Sequence, residues 1–221
     1  MGLDIDFSGI LPSIPFILEG IGITVSFALV SAILGLILGT ILAVFKISKV
    51  SFLKWFADIY TSIFRGTPLI LQLVLIYFAV PQLFQYDIDK FVAGVLAFGL
   101  NSGAYISEII RAGIQAVDKG QQEAAEALGI SYRPMMLDII LPQAVKNILP
   151  ALLNEFITLT KESAIVSTIG LLDIMRRAQV VGANTFRYFE PLLIAGLVYW
   201  IIVTILTFLG GRLERRLRRS E

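Results

Sequence analysis

Six ionisable side chains interrupt stretches that are otherwise apolar: Asp58, Arg65, Glu108, Glu155, Lys161 and Glu162. Such groups are costly inside a bilayer and usually face a cavity or a partner charge, so they mark candidate ligand sites. Arg65-Gly66-Thr67-Pro68 adds a helix break, with Thr67 placed to cap a new helix and Pro68 at its first position. The freed N–H groups and positive helix end then suit a carboxylate, with Arg65 at the same spot. Lys161-Glu162-Ser163 makes a similar break, with Ser163 as candidate cap. Asn101, Tyr105 and Glu108 are spaced to share one helix face. Glu108 and Glu155 are the carboxylates suited to a cationic side chain or an amino group. Glu108 also precedes Arg111 by three residues, where an ordinary ion pair would engage it, and Asp58 and Arg65 lie on one helical face. The chain has neither His nor Cys. The usual general base, zinc sites, thiolate nucleophile and disulfides are therefore missing, and binding is expected rather than catalysis.

These groups need apolar elements to hold them. Of 221 residues, 57 % are apolar and 16 % charged, with a mean hydropathy of +0.82. Soluble domains carry roughly 45–50 % apolar and about 25 % charged residues, so most of this chain belongs in a bilayer. Soluble enzymes, nucleic-acid binders and disordered proteins are excluded. Ile21–Phe45, Gly66–Tyr86, Phe91–Ser107 and Leu192–Leu209 are uncharged runs of 25, 21, 17 and 18 residues, and a spanning helix needs about 20. With a fourth, interrupted segment from Lys146, they predict an all-α integral membrane fold of five spans, near 17–45, 52–84, 90–113, 146–166 and 190–212. The chain reads as a single domain over 1–221, without low-complexity stretches or an internal repeat. Gly35-x3-Gly39 and Gly99-x3-Gly103 have the spacing that lets helix backbones approach closely.

Basic residues set the orientation. Lys46, Lys49, Lys54, Arg111, Lys119, Arg133, Lys146, Arg212, Arg215, Arg216, Arg218 and Arg219 fall on one side. Lys90, Arg176, Arg177 and Arg187 fall on the other. The N-terminus is expected outside and the C-terminus in the cytoplasm. Asp4 and Asp6 replace the basic start of a signal peptide, so the first span is expected to act as its own insertion signal. The basic tail suits anionic lipid. Arg176, Arg177 and Arg187 either dock an acidic partner or hold the outer loop together.

The loop after the third span is the most informative segment. Gly120 and Gly129 bracket a short helix-forming run, near 121–129, with Gly120 as N-cap and Gly129 as the left-handed residue past its end. Ala124, Ala125 and Leu128 would form a small apolar face suited to a groove on another protein. Glu123-Ala124-Ala125, then Gly129, then Ile139-x-Leu141-Pro142 resembles in full the EAA signature of ABC importer permeases. The segments 64–78, 100–117 and 152–170 resemble the polar amino-acid uptake permeases, and the likeness runs over nearly the whole chain.

That resemblance implies a type I importer permease fold, with residues 123–129 as the coupling helix seated on an ATPase subunit. It implies a dimer of ATPase subunits, a second permease copy, identical or a sister chain, and an extracytoplasmic amino-acid-binding protein. No Gly-Lys dipeptide exists for a phosphate-binding loop, so ATP and Mg would be held by the partner and no cofactor or metal is expected here. The substrate is expected to be a polar, basic L-amino acid, because Asp58, Glu108, Glu155 and Glu162 outnumber Arg65 and Lys161 within the spans. Two other readings are a channel-like or sensory subunit without pumping, and a secondary transporter. The intact coupling signature argues against the first, and the missing inverted repeat against the second.

Overall fold

The structure, a computed structural model, describes residues 6–218, with side chains as far as Arg216. Asp4, Arg219 and the Arg218 side chain lie outside the described residues. The helices are α1 (Ile14–Leu18), α2 (Gly20–Ile47), α3 (Ser51–Gly66), α4 (Leu69–Phe84), α5 (Lys90–Gln115), α6 (Lys119–Ala127), α7 (Tyr132–Ile169), α8 (Ile174–Thr185) and α9 (Phe189–Arg218). Among the described residues, α2 with its lead-in, α5, α7 and α9 are long and apolar enough to cross a membrane, and α3 and α4, bent by 101° at their break, are apolar enough together to count as a fifth, broken span.

Local chemistry explains the ends. α2 carries no charge until Lys46 in its last turn, where a cation complements the negative helix end. Asp89 caps α5 by accepting from Phe91 N and Val92 N at 2.9 and 3.2 Å. The helix that holds the fourth expected span is longer than that span: α7 starts at Tyr132 and carries Arg133, Asp138 and Lys146 ahead of its apolar stretch. A π-turn over Met135–Ile140 widens the helix just before Pro142, which has no N–H to donate. At Lys161-Glu162-Ser163 no new α-helix begins. The chain tightens into a 3₁₀ turn over Ser163–Ile169, and the Ser163 hydroxyl donates back to Thr160 O at 2.8 Å instead of capping. Gly170, at φ 77°, ends the element.

The chain forms two compact units, interleaved along the sequence. One comprises the described residues up to Ala32, with Leu69–Phe98 and Phe156–Thr207. Its apolar core gathers Ile10, Ile17, Ile174, Ala178, Ala195 and Val198. Phe27 packs edge-on against Phe91 and Phe98, with ring centroids 5.9 and 4.9 Å away. Here the start of α2 meets the start of α8 backbone to backbone. A Cβ on Gly20 would lie 2.6 Å from Ile174 N. Beside it, buried Asp173 caps α8 by accepting from Arg176 N at 2.8 Å, and its second oxygen accepts from Tyr199 Oη at 2.8 Å.

The other unit comprises Ile33–Pro68, Gly99–Glu155 and the described residues from Phe208. The two small-residue pairs singled out in the sequence meet in it. A Cβ on Gly39 would lie 2.6 Å from Ile106 Cγ2 and 3.0 Å from Gly103 O, and one on Gly35 would lie 2.9 Å from Ser102 Cβ. α2 and α5 thus cross at a distance that only small residues permit. A second cluster, Val117, Ala125, Met135, Ile140, Ala144 and Ile148, ties α6 to α7.

Two outcomes follow for the Gly20–Asp173 corner. Gly20→Ala should destabilise by about 1–3 kcal/mol, since backbone must move, whereas Gly22→Ala, with nothing within 4 Å of its Cβ, should not. Thermal denaturation of both purified variants checks this, and equal melting would refute the contact. The second concerns Asp173, in the connection between the last two spans. Burial pushes its carboxyl up, against the lowering by Arg176 N–H and the Tyr199 hydroxyl. An acid raised in the fold stabilises below its unfolded pKa, and the contribution is lost as pH rises through the folded one. Asp173→Asn can keep the bond from Arg176 N through Oδ1 but meets Tyr199 Oη only by donating from Nδ2. With that bond reversed it should stay close to the original stability at neutral pH and flatten its acid-range dependence. Asp173→Ala should lose about 1–3 kcal/mol of cap and hydrogen bond. Melting curves across acid to neutral pH decide it, and an Asn variant that kept the original acid-range dependence would show that Asp173 is not its source.

Candidate functional site

Seven of the ten residues singled out for a ligand fall in the unit that contains the middle of α5: Asp58, Arg65, Thr67, Asn101, Tyr105, Glu108 and Glu155. α5 supplies the scaffold. Asn101 Nδ2 donates to Phe64 O at 2.9 Å, fastening α5 to the last turn of α3. Tyr60 Oη donates to Leu100 O at 2.8 Å beside it. The Arg65 guanidinium lies over the Tyr105 ring, 5.3 Å from its centroid, a cation–π arrangement that keeps the charge at the end of α3. Ser102 Oγ, fully buried, donates to Glu155 Oε1 at 2.9 Å. α5 therefore presents a held cation through Tyr105 and a held carboxylate through Ser102, residues that are neighbours on the helix surface.

The break at residues 66–68 is present. Thr67 Oγ1 donates to Ile63 O at 2.8 Å, closing α3, and α4 starts at Leu69, so Pro68 stands just ahead of its first residue. Asp58 and Glu108 both face Lys46. Lys46 Nζ lies 3.4 Å from Asp58 Oδ1 and is paired with Glu108 Oε1. Glu108 Oε2 takes Arg111 Nη2 at 2.6 Å. The Arg111 pairing was legible from spacing, but the Lys46 pairing was not, because 62 residues separate it from Glu108.

Lys161, Glu162 and Ser163 belong to the other unit. Lys161 and Glu162 are exposed and Ser163 is buried. In the same unit Arg176, Arg177 and Arg187 are held within the chain. Arg177 donates to Phe16 O, Glu19 Oε2 and Leu172 O at 3.0, 2.6 and 3.1 Å, and lies over the Phe16 ring. Arg187 pairs with Glu190 at 2.7 Å, and Arg176 reaches Gln179 at 3.5 Å. Of the two roles left open for them, these contacts are those of a loop clamp. In the tail, Arg212 lies over Phe208 and Arg215 donates to Gly211 O at 3.1 Å.

The short loop helix runs over Lys119–Ala127, and its N-cap is Asp118, not Gly120. The Asp118 carboxylate accepts from Gly120 N at 2.6 Å and so satisfies a donor that a glycine cap would leave bare. Gly129 has φ 74°, the left-handed conformation that its position requires. The predicted apolar face divides: Ala125 is buried in the α6–α7 cluster, whereas Ala124 and Leu128 are exposed, Leu128 at 78 %. A cavity of about 520 Å³ opens beneath α6, lined by Ile47, Gln115, Asp118, Lys119 and Gln122 among others. No group of three or more Asp or Glu able to hold a metal occurs among the described residues.

Residues 34–219 match the family described as the binding-protein-dependent transport system inner membrane component. The chain belongs to that family. It is a permease subunit, the membrane component of such a system. The chain is 59 % identical over 219 residues to an arginine transport system permease protein of Bacillus subtilis, covering 99 % of this chain and 100 % of that one. A glutamate/aspartate import permease protein of Escherichia coli is 36 % identical over 220 residues, covering 96 % and 98 %. The crystal structure of an amino acid ABC transporter with histidines superposes with a TM-score of 0.93 at 43 % identity, over 97 % of this chain and all of that one. An inward-facing methionine ABC transporter matches with a TM-score of 0.78 at 20 % identity, which shows the shared type I permease fold. The all-helical permease fold expected from the sequence is the fold found, with four candidate spans among the described residues, or five with the bent pair α3 and α4 counted as one.

Proposed function

We propose that this permease is the membrane subunit of an ATP-driven importer of a polar, basic L-amino acid, working by alternating access with a separate ATPase. The observation that carries the reading is the intact corner formed by Asp118, α6 and left-handed Gly129, which projects Leu128 outward. Such a corner suits a groove on the ATPase dimer. ATP would draw two permease copies, identical or sister chains, into the outward-facing state, where an extracytoplasmic binding protein releases its ligand. Hydrolysis would reset the inward-facing state. A near-complete switch needs about 5.5 kcal/mol of differential binding. The N-terminus is assigned outside and the C-terminus inside, on the basic-residue asymmetry.

Within the α5 site, Arg65 is assigned to the ligand carboxylate and Glu155 to its cationic group, with Tyr105, Asn101 and Ser102 holding them in place. Thr67 shapes the break beside Arg65. Asp58 and Glu108 are assigned to Lys46 instead. The preference for a basic side chain is supported by the arginine permease of Bacillus subtilis, which matches this chain end to end. The excess of acidic groups supports it less, since two of them answer Lys46.

The test is reconstitution in liposomes with the cognate ATPase and binding protein. ATP hydrolysis should rise with arginine-loaded binding protein and lose that stimulation when Glu123 and Gly129 are replaced together. Glu155→Gln should weaken arginine uptake about tenfold to a hundredfold, the equivalent of one hydrogen bond to a charged group, and glutamine uptake less. Equal losses for both amino acids would remove Glu155 from cation binding. Absence of any ligand-stimulated hydrolysis would overturn the importer reading.

A further inference from the structure

Lys46 has no part in the ligand site, yet it is the most enclosed cation among the ion pairs of the described residues, with its side chain 3 % exposed. Its ammonium donates to Thr61 Oγ1 at 2.9 Å, lies 3.4 Å from Asp58 Oδ1, and is paired with Glu108 Oε1. Those three partners come from α3 and α5, so a single side chain at the end of α2 joins three helices. Thr61 in turn donates to Ala57 O at 2.9 Å, which fixes its lone pairs toward the ammonium. Two cations, Lys46 and Arg111, balance two carboxylates, Asp58 and Glu108. A buried lysine without such partners would be strongly unfavourable.

The cluster continues toward α6. Arg111, held by Glu108 through both Nε and Nη2 at 3.0 and 2.6 Å, donates from Nη1 to Gln115 Oε1 at 3.0 Å. Glu108, Arg111 and Gln115 therefore form one ridge along the end of α5. Gln115 lines the cavity beneath α6, and so does Ile47, the residue after Lys46. Asp118, the cap of α6, lines it too. The charged ridge thus runs from Lys46 to Gln115, and Gln115 and Ile47 share this cavity with Asp118 at the root of α6.

We infer that Lys46 is a positioning residue for coupling: it locks the ends of α2, α3 and α5 into one body, so that displacement of α6 moves these helices instead of being absorbed by local bending at 116–118. This rests on the importer reading above. In that role Lys46 touches neither ligand nor nucleotide.

The test uses the full complex in liposomes with binding protein, comparing Lys46→Arg, Lys46→Gln and Lys46→Met. The readouts are the ratio of ligand-stimulated to unstimulated ATP hydrolysis, and amino acid imported per ATP. Arg, which keeps the charge, should hold both near the original values. Met should lower both by roughly fivefold or more, the scale of a lost coupling between sites, while the half-saturating concentration of loaded binding protein stays unchanged. Gln, which keeps a donor without the charge, should fall between and carries the test where Met does not assemble. If Gln and Met keep the original ratio, or if stimulated and unstimulated hydrolysis and import fall in proportion, Lys46 acts only in folding and the inference is overturned. Failure of the unaltered complex to show ligand-stimulated hydrolysis would instead remove the importer reading itself.

Discussion

A bilayer offers no water to a polar group, so every donor, acceptor and charge that enters it must be answered from within the chain. That constraint accounts for most of the polar architecture. Hydroxyls on the long helices fold back on their own backbone: Thr40 to Leu36 O, Thr160 to Phe156 O and Thr207 to Val203 O. Charges and amides reach across helices instead, as Lys46 does to Asp58 and Glu108, Ser102 to Glu155, and Asn101 to Phe64 O. Ser31 Oγ is the exception among the described buried side chains, enclosed without a hydrogen-bond partner. Because each such bond joins a particular pair of helices, the polar groups do more than avoid a penalty. They specify which helices stay together.

Glycine performs the complementary task. Between helices in lipid there is little hydrophobic gain, so association depends on close packing. Gly35, Gly39 and Gly103 bring α2 onto α5, and Gly20 brings α2 onto the start of α8. In both places the close approach lies beside a polar contact, Ser102 with Glu155 in one and Asp173 with Tyr199 in the other. A short, directional bond needs backbones set at a fixed distance, and the missing Cβ sets it.

What the sequence revealed follows from range. Uncharged runs gave the spans, because hydropathy is a local property. The glycine pairs and the Glu123–Pro142 signature were equally local. Errors arose where a local rule met a competing one. Charges at Arg133, Asp138 and Lys146 concealed the first turns of α7, since a helix on the membrane flank tolerates charge. Gly120 looked like a cap, but Asp118 two residues earlier offers an acceptor and wins. Ser163 looked like a helix start, yet its hydroxyl found the carbonyl three residues back. The partnership of Lys46 with Glu108 had no local trace at all, so Lys46 counted only as a loop charge setting orientation.

That omission matters for how ligand preference can be read from such chains. Counting ionisable groups in the spans gives an acidic excess and points to a cationic ligand. Once Lys46 is included with Asp58 and Glu108, much of the excess cancels inside the protein. Against α5, Arg65 is held over Tyr105 and Glu155 is held by Ser102. In the proposed site Arg65 would meet the carboxylate that all amino acids share, and Glu155 would meet a cationic side chain. Net charge in the spans is then mainly a measure of how the helices are fastened. Under the proposed assignment, discrimination between amino acids rests on whether the side chain reaches Glu155, a question of geometry that no count of residues can express.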